Sequence, residues 1–335
     1  LSYFSFEQLL ATEFPPEEYI LSPLIEKGGL YMVYGPAGLG KTWFTAGLAV
    51  AAASGKPFLK WSASRPYRVA YIDGEMPGRK MQWRLQSISK ALGADPGVVG
   101  KNLFYLGRTT QDAKALFPDL ANPGDHPKVV EFLRAVKPDL VILDNLFTLC
   151  RSGDRNDVQF WDGVQEFLLD QRARGRSVIA VQHTNKANGY HGTSAQSVVM
   201  DEMISLEFPG EPNAQGARFV VKFTKARNAT GDDAAPLVVD VNQSLDDPRG
   251  IDGYSWRPLE DDPVEGAVRL LRTGHYRNQG ELGKALGKDR TTVSRHLRTA
   301  QERGLISASE VDTLFAKARG VVPAIQADIE DDCEF

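Results

Sequence analysis

The chain has 335 residues, 42% of them hydrophobic and 24% charged, which leaves room for a core of about 250 residues and a smaller satellite. This composition excludes disordered, collagen-like and disulfide-stapled classes, and two cysteines, Cys150 and Cys333, are too few for a cysteine metal cage. With 39 basic against 43 acidic residues, the net charge of −4 excludes a wholly basic nucleic-acid binder but not a local basic patch. The N-terminus has no signal-peptide pattern, and no apolar run approaches the roughly 18 residues of a membrane span. Together with the cysteine usage, this leads to an expected cytoplasmic location without membrane contact.

Residues 1–28 read as a lead-in segment. From 29 to 241, short apolar runs at 30–34, 69–73, 103–106, 140–144 and 178–181 alternate with helical patterns at 80–92, 128–136 and 160–174. That alternation marks an α/β protein, and runs this apolar suit parallel strands covered on both faces. The runs at 203–208, 218–225 and 237–241 follow one another with turn residues and little helix between, so antiparallel strands are expected at the sheet edge.

Gly35-Pro36-Ala37-Gly38-Leu39-Gly40-Lys41-Thr42 follows the first apolar run and opens a helix at Trp43. This is a complete phosphate-binding loop in the context it requires. Its glycines let backbone N–H groups turn inward around phosphate oxygens, and the helix N-terminus adds a favourable dipole. Lys41 is expected to reach the β- and γ-phosphates of ATP, and the Thr42 hydroxyl to ligate Mg²⁺. Glu75 follows the next run, in Asp73-Gly74-Glu75-Met76, where a carboxylate can orient and deprotonate the attacking water. Asp73 competes for that role. Asp144 ends the run at 140–144, the position from which a carboxylate holds the Mg²⁺ water shell. Gln182 and His183 end the run at 178–181, and either is a candidate for sensing the γ-phosphate.

The order of P-loop, Glu, Asp and Gln-His, with trailing antiparallel strands, resembles the RecA-like ATPases. Lys27-Gly28-Gly29-Leu30 before the P-loop, Asp73–Met76 and Val181-Gln182-His183-Thr184-Asn185-Lys186 look most like the RepA-type hexameric replicative helicases. The resemblance covers roughly residues 15–241. It departs from the family at Gln182-His183, where His-His is the pattern in many relatives.

Two further assignments are implied by the resemblance. Lys225-Ala226-Arg227 matches the Lys-x-Arg that such rings insert into a neighbour's site, where an arginine stabilises charge on the transferred phosphoryl group. The loops after Asp144 and after His183 are expected to face a central channel, with Arg151, Arg155 and Lys186 tracking the phosphates of single-stranded DNA.

Residues 242–263 carry Asp246, Asp247, Pro248, Asp261, Asp262 and Pro263 without sustained periodicity and read as a linker. Beyond them, 264–322 reads as a winged helix-turn-helix with a basic excess. Leu282, Ala285 and Leu286 form one helix face, Gly287 permits the turn, and Val293, Leu297 and Ala300 face inward from the next helix. Thr291, Thr292, Ser294, Arg295 and Arg298 form the outward set, suited to duplex DNA, and Gly304-Leu305-Ile306-Ser307 is expected to begin the wing. The acidic stretch 323–335 reads as a disordered tail. Its end, with five acids and the terminal Phe335, suits either simple solubilisation or docking on a basic surface.

The expected fold is therefore α/β, a RecA-type mostly parallel sheet with antiparallel edge strands plus a small winged helix-turn-helix domain. The expected function is an ATP- and Mg²⁺-dependent hexameric DNA helicase or translocase, acting in replication of a plasmid, phage or similar element. The rivals are a DNA-bound ATPase switch that unwinds nothing and a KaiC-like signalling ATPase.

Overall fold

In the computed structural model the described residues are 3–14, 16–112, 114–153, 158–184, 198–209, 216–247, 249–259 and 263–320. They fall into two units divided between Leu259 and Glu260. No helix among the described residues is long and apolar enough to cross a membrane.

In the first unit, Ser5 caps helix α1 (Phe6–Ala11), which buries none of its own residues. Strands β1 (Tyr19–Leu21) and β2 (Ile25–Glu26) pair antiparallel. The main sheet is built on β3 (Leu30–Gly35), β4 (Val69–Asp73), β5 (Leu103–Gly107), β6 (Leu140–Asp144), β7 (Ser177–His183) and β8 (Glu202–Glu207). These run parallel in the order β8-β3-β7-β6-β4-β5. Beyond β8, the strands β9 (Gly216–Lys225), β10 (Leu237–Gln243) and β11 (Ile251–Pro258) extend the sheet antiparallel. This is the RecA-type arrangement, with β7 inserted between the P-loop strand β3 and the Asp144 strand β6.

Both faces of the parallel strands are covered, which is why the sequence shows nearly continuous apolar runs there. Tyr31 and Val33 point into a core shared with α2 (Lys41–Ser54), α3 (Gly78–Ala91) and α4 (Pro96–Asn102), where Phe44, Leu48, Ile88 and Val99 are buried. Leu30 and Met32 point into the opposite core, under α5 (His126–Val136) and α7 (Val158–Ala173). Between these two helices lies the single turn α6 (Leu146–Leu149), which follows β6 directly.

Two expectations about the sheet need correction. The strand at 203–208 is not antiparallel to its inner neighbour: β8 lies parallel to β3, and antiparallel pairing begins only at β9. The stretch 242–263 is not a plain linker, because β11 lies within it. As an edge strand, β11 buries Ile251 and packs Tyr254 against the Phe58 ring at 4.9 Å, while Asp252 and Trp256 stay exposed. One covered face and one wet face leave no apolar run to read.

Among its described residues the second unit has four helices, α8 (Pro263–Arg272), α9 (Gln279–Leu286), α10 (Arg290–Glu302) and α11 (Ala308–Ala318). Leu282, Val293, Leu297 and Ala300 join Leu271, Ile306 and Phe315 in its core. Gly287 adopts φ +62° at the turn between α9 and α10, a left-handed conformation that glycine takes without strain. Ala285, expected on the packed face, is exposed; Gly283 beside Leu282 is buried instead. Nor does a wing begin at 304–307. Ile306 is buried in a turn and the chain enters α11, so among the described residues the unit contains no strand. The acidic tail at 323–335 lies outside the described residues.

Candidate nucleotide site

The P-loop occupies the turn between β3 and α2. Gly40 caps α2 at φ +115°, which aims the following N–H groups into the loop. Lys41 is buried, and its Nζ donates to the carbonyls of Gly35 at 2.8 Å and Pro36 at 2.7 Å. Burial pushes its pKa down to about 8, against the opposing pull of Asp144 and Glu75.

A cavity of about 400 Å³ opens here. Gly38, Gly40, Lys41, Thr42 and Trp43 line it from the P-loop side, Glu75 from the turn after β4, Asp144 from the end of β6, and His183 from the end of β7. Four segments far apart in sequence therefore converge at the carboxyl edge of the parallel strands, where α/β sheets bind ligands. Gly35, Pro36, Ala37 and Leu39 complete the loop, with Gly35 and Leu39 buried and Ala37 exposed.

Asp144 is buried, and burial pushes its carboxyl up to about 6 although Tyr71 and Thr42 both hydrogen-bond it. The Tyr71 hydroxyl donates to its Oδ2 at 2.6 Å. A divalent cation between Thr42 and Asp144 fits this pairing, since it would favour the ionised carboxylate that burial opposes.

The two candidate bases differ in what their oxygens do. Asp73 is buried; its Oδ1 accepts from the N–H groups of Glu75 at 2.8 Å and Met76 at 2.9 Å, and its Oδ2 from the Tyr105 hydroxyl at 3.1 Å. It shapes the turn that presents Glu75, whose own side chain is 61% exposed. Of the sensor candidates, His183 lines the cavity, whereas Gln182 is buried in β7 opposite Tyr34 of β3. Burial and the neighbouring Lys41 charge hold His183 below its ordinary pKa.

Four residues that no motif flagged also belong to this site. Tyr71 secures Asp144, and Asn145 lies between Glu75 and His183. Lys80 and Arg84 line the cavity from α3, the Arg84 guanidinium lying 4.3 Å from the Trp43 ring centre and donating to Met76 Sδ at 3.5 Å. The available signal was the helix itself, which carries Arg79, Lys80, Arg84 and Lys90 and no acid.

The other candidates lie elsewhere. Lys225 Nζ donates to the Met200 carbonyl, and Arg227 Nη1 pairs with Asp201 at 3.3 Å. Asp201 also accepts from the Leu30 N–H, the first residue of β3, which puts Arg227 at the sheet edge opposite the P-loop. Arg151 is tied down, its guanidinium donating to the Phe117 carbonyl and its N–H to Asp119. On α10, Thr291, Arg295 and Arg298 are exposed and Ser294 is half-buried. Thr292 departs from the outward set: its hydroxyl donates to Asp289, the residue that caps α10, at 2.7 Å. Arg155 and Lys186 lie outside the described residues.

The lowered Lys41 pKa has a measurable consequence. Bound phosphates must pull it back up, so ATP binding between about pH 8 and 10 takes up a proton, close to one at about pH 9 and almost none at about pH 7. Calorimetric titrations in two buffers of different ionisation enthalpy measure this; equal heats at about pH 9 would rule it out.

The family model described as AAA domain, AAA_25, matches residues 2–189. Among solved structures, the flagellar accessory protein FlaH from Methanocaldococcus jannaschii is 18% identical, with 67% of this chain and 88% of that one covered and a TM-score of 0.46. The KaiC-like protein PH0186 from Pyrococcus horikoshii OT3 is 14% identical, with 69% and 92% covered and a TM-score of 0.48. A comparison with curated proteins gave no match.

Proposed function

Its model matches more than half of the sequence, so the chain belongs to the AAA domain family, and from that premise we propose that it is a ring-forming, ATP-driven DNA translocase or helicase. Its substrate chemistry is ATP hydrolysis: water attacks the γ-phosphorus, the bond to the bridging oxygen breaks, and ADP and phosphate leave. The P-loop N–H groups and Lys41 hold the phosphates. Glu75 takes the proton of the attacking water, and His183 contacts the γ-phosphate. Thr42 and Asp144 would hold Mg²⁺, which would supply charge neutralisation on the phosphates.

The observation that carries assembly is the position of Arg227. From Leu30 to Gly35, β3 spans about 16–17 Å, so an arginine paired beside Leu30 is beyond reach of its own P-loop. In our reading Arg227 serves the site of a neighbouring copy in a hexamer, which makes hydrolysis depend on the ring. The DNA assignment draws on the exposed Arg295 and Arg298 of α10 and on the resemblance, which gives Arg155 and Lys186 to channel-facing loops; Arg151, held by Phe117 and Asp119, adds nothing to it. Such a motor fits replication of a plasmid, phage or similar element.

Turnover measured with and without single-stranded DNA, at a protein concentration where the mass is known, tests this. The expected result is a hexamer whose ATP turnover rises with single-stranded DNA. A turnover indifferent to DNA would sink the motor reading in favour of a nucleotide switch.

A further inference from the structure

Asn145 follows Asp144 at the end of β6 and is only 3% exposed. Its Nδ2 donates to Glu75 Oε2 at 2.7 Å and approaches His183 Nε2 at 3.1 Å. Its Oδ1 accepts from the Thr148 N–H at 3.2 Å, as the cap of α6. That carbonyl contact fixes which way the amide points, because reversing it would turn an oxygen toward the Glu75 carboxylate. One buried amide thus joins two cavity residues from different strands. Glu75 needs such a holder: its side chain is long and largely exposed, and among the described residues Asn145 supplies its one short hydrogen bond.

We propose that Asn145 is a positioning residue for hydrolysis, holding the Glu75 carboxylate and the His183 ring in a fixed spacing. The proposal rests on the reading of Glu75 as the base. A base free to swing by an ångström loses much of its effect, whereas nucleotide binding, carried by the P-loop, does not depend on it. His183 fits the same frame. Its Nε2 accepts from Asn145, and Nδ1 is buried without a hydrogen-bond partner among the described residues.

Asn145→Ser separates positioning from capping, since serine caps a helix well but is too short to reach Glu75. Asn145→Asp keeps the shape and the cap while replacing the donor with an acceptor. Both variants are to be compared with Glu75→Gln for kcat and KM, for melting temperature, and for affinity toward a non-hydrolysable ATP analogue with Mg²⁺. For Asn145→Ser the expected result is a kcat lower by about 10- to 100-fold, with analogue affinity and melting temperature close to the parent's; for Asn145→Asp, which turns a carboxylate oxygen toward Glu75, the loss of kcat is expected together with a lower melting temperature. In single-turnover measurements, adding Asn145→Ser to Glu75→Gln should cause no further loss, because the two act as one unit. If Glu75→Gln is inactive while Asn145→Ser turns over within about threefold of the parent, the base reading stands and the positioning role falls. Additive losses in the double variant would overturn it as well. Should Glu75→Gln itself keep full turnover, the base reading falls and takes the proposal with it.

Discussion

Glu75→Gln is expected to lower ATP turnover by about 10²- to 10⁴-fold while ATP still binds. Glutamine preserves the shape of the side chain and one carbonyl acceptor for Asn145, but it has no useful affinity for the water proton. Asp73 is a poor substitute because it has no oxygen to spare: both are engaged by Glu75 N–H, Met76 N–H and Tyr105. Steady-state turnover together with ATP binding at equilibrium measures the effect. Unchanged turnover in a folded Gln variant would move the role away from Glu75.

Arg227→Ala is expected to cost about 10³- to 10⁵-fold in turnover, the range over which an arginine finger acts. The fold is spared for a specific reason. Asp201 keeps its bonds from Arg172 and from the Leu30 N–H when Arg227 is removed, so no carboxylate is left without a partner. The Arg227 side chain is 52% exposed, and an exposed ion pair contributes little to stability. Lost activity with an unchanged melting temperature and unchanged oligomeric mass therefore assigns Arg227 to chemistry. Lost assembly would assign it to the interface.

The site was legible in the sequence wherever a residue stood beside a strand end in a contiguous motif. The P-loop, Glu75, Asp144 and His183 each lie at the end of an apolar run or within two residues of it, and parallel pairing brings such ends to one edge. Tyr71 was not legible, because what gives it a place is a contact across the sheet to Asp144, 73 residues away; for Arg84 the basic helix was a signal, but its place beside Trp43 comes from packing between α2 and α3. Asn145 was half visible: an Asn three residues before Thr148 marks a helix start, but its second contact is to a residue 70 positions away. The missing wing is a different case, since the signal was present. Ser307 and Glu310 carry the spacing of a capping box, Ser307 Oγ accepts from the Glu310 N–H at 3.1 Å, and Val311, Leu314 and Phe315 follow at helical spacing.

The ring-dependent reading is tested most directly by mixing two inactive variants, Arg227→Ala and Lys41→Ala, and following ATP turnover as their ratio changes. At mixed interfaces, an intact P-loop from the first meets an intact finger from the second. Activity absent from either protein alone should appear in the mixture and peak near equal amounts. If verified mixed oligomers stay inactive at every ratio, Arg227 does not complete a neighbour's site, and the account of this chain as a ring-assembled motor is contradicted.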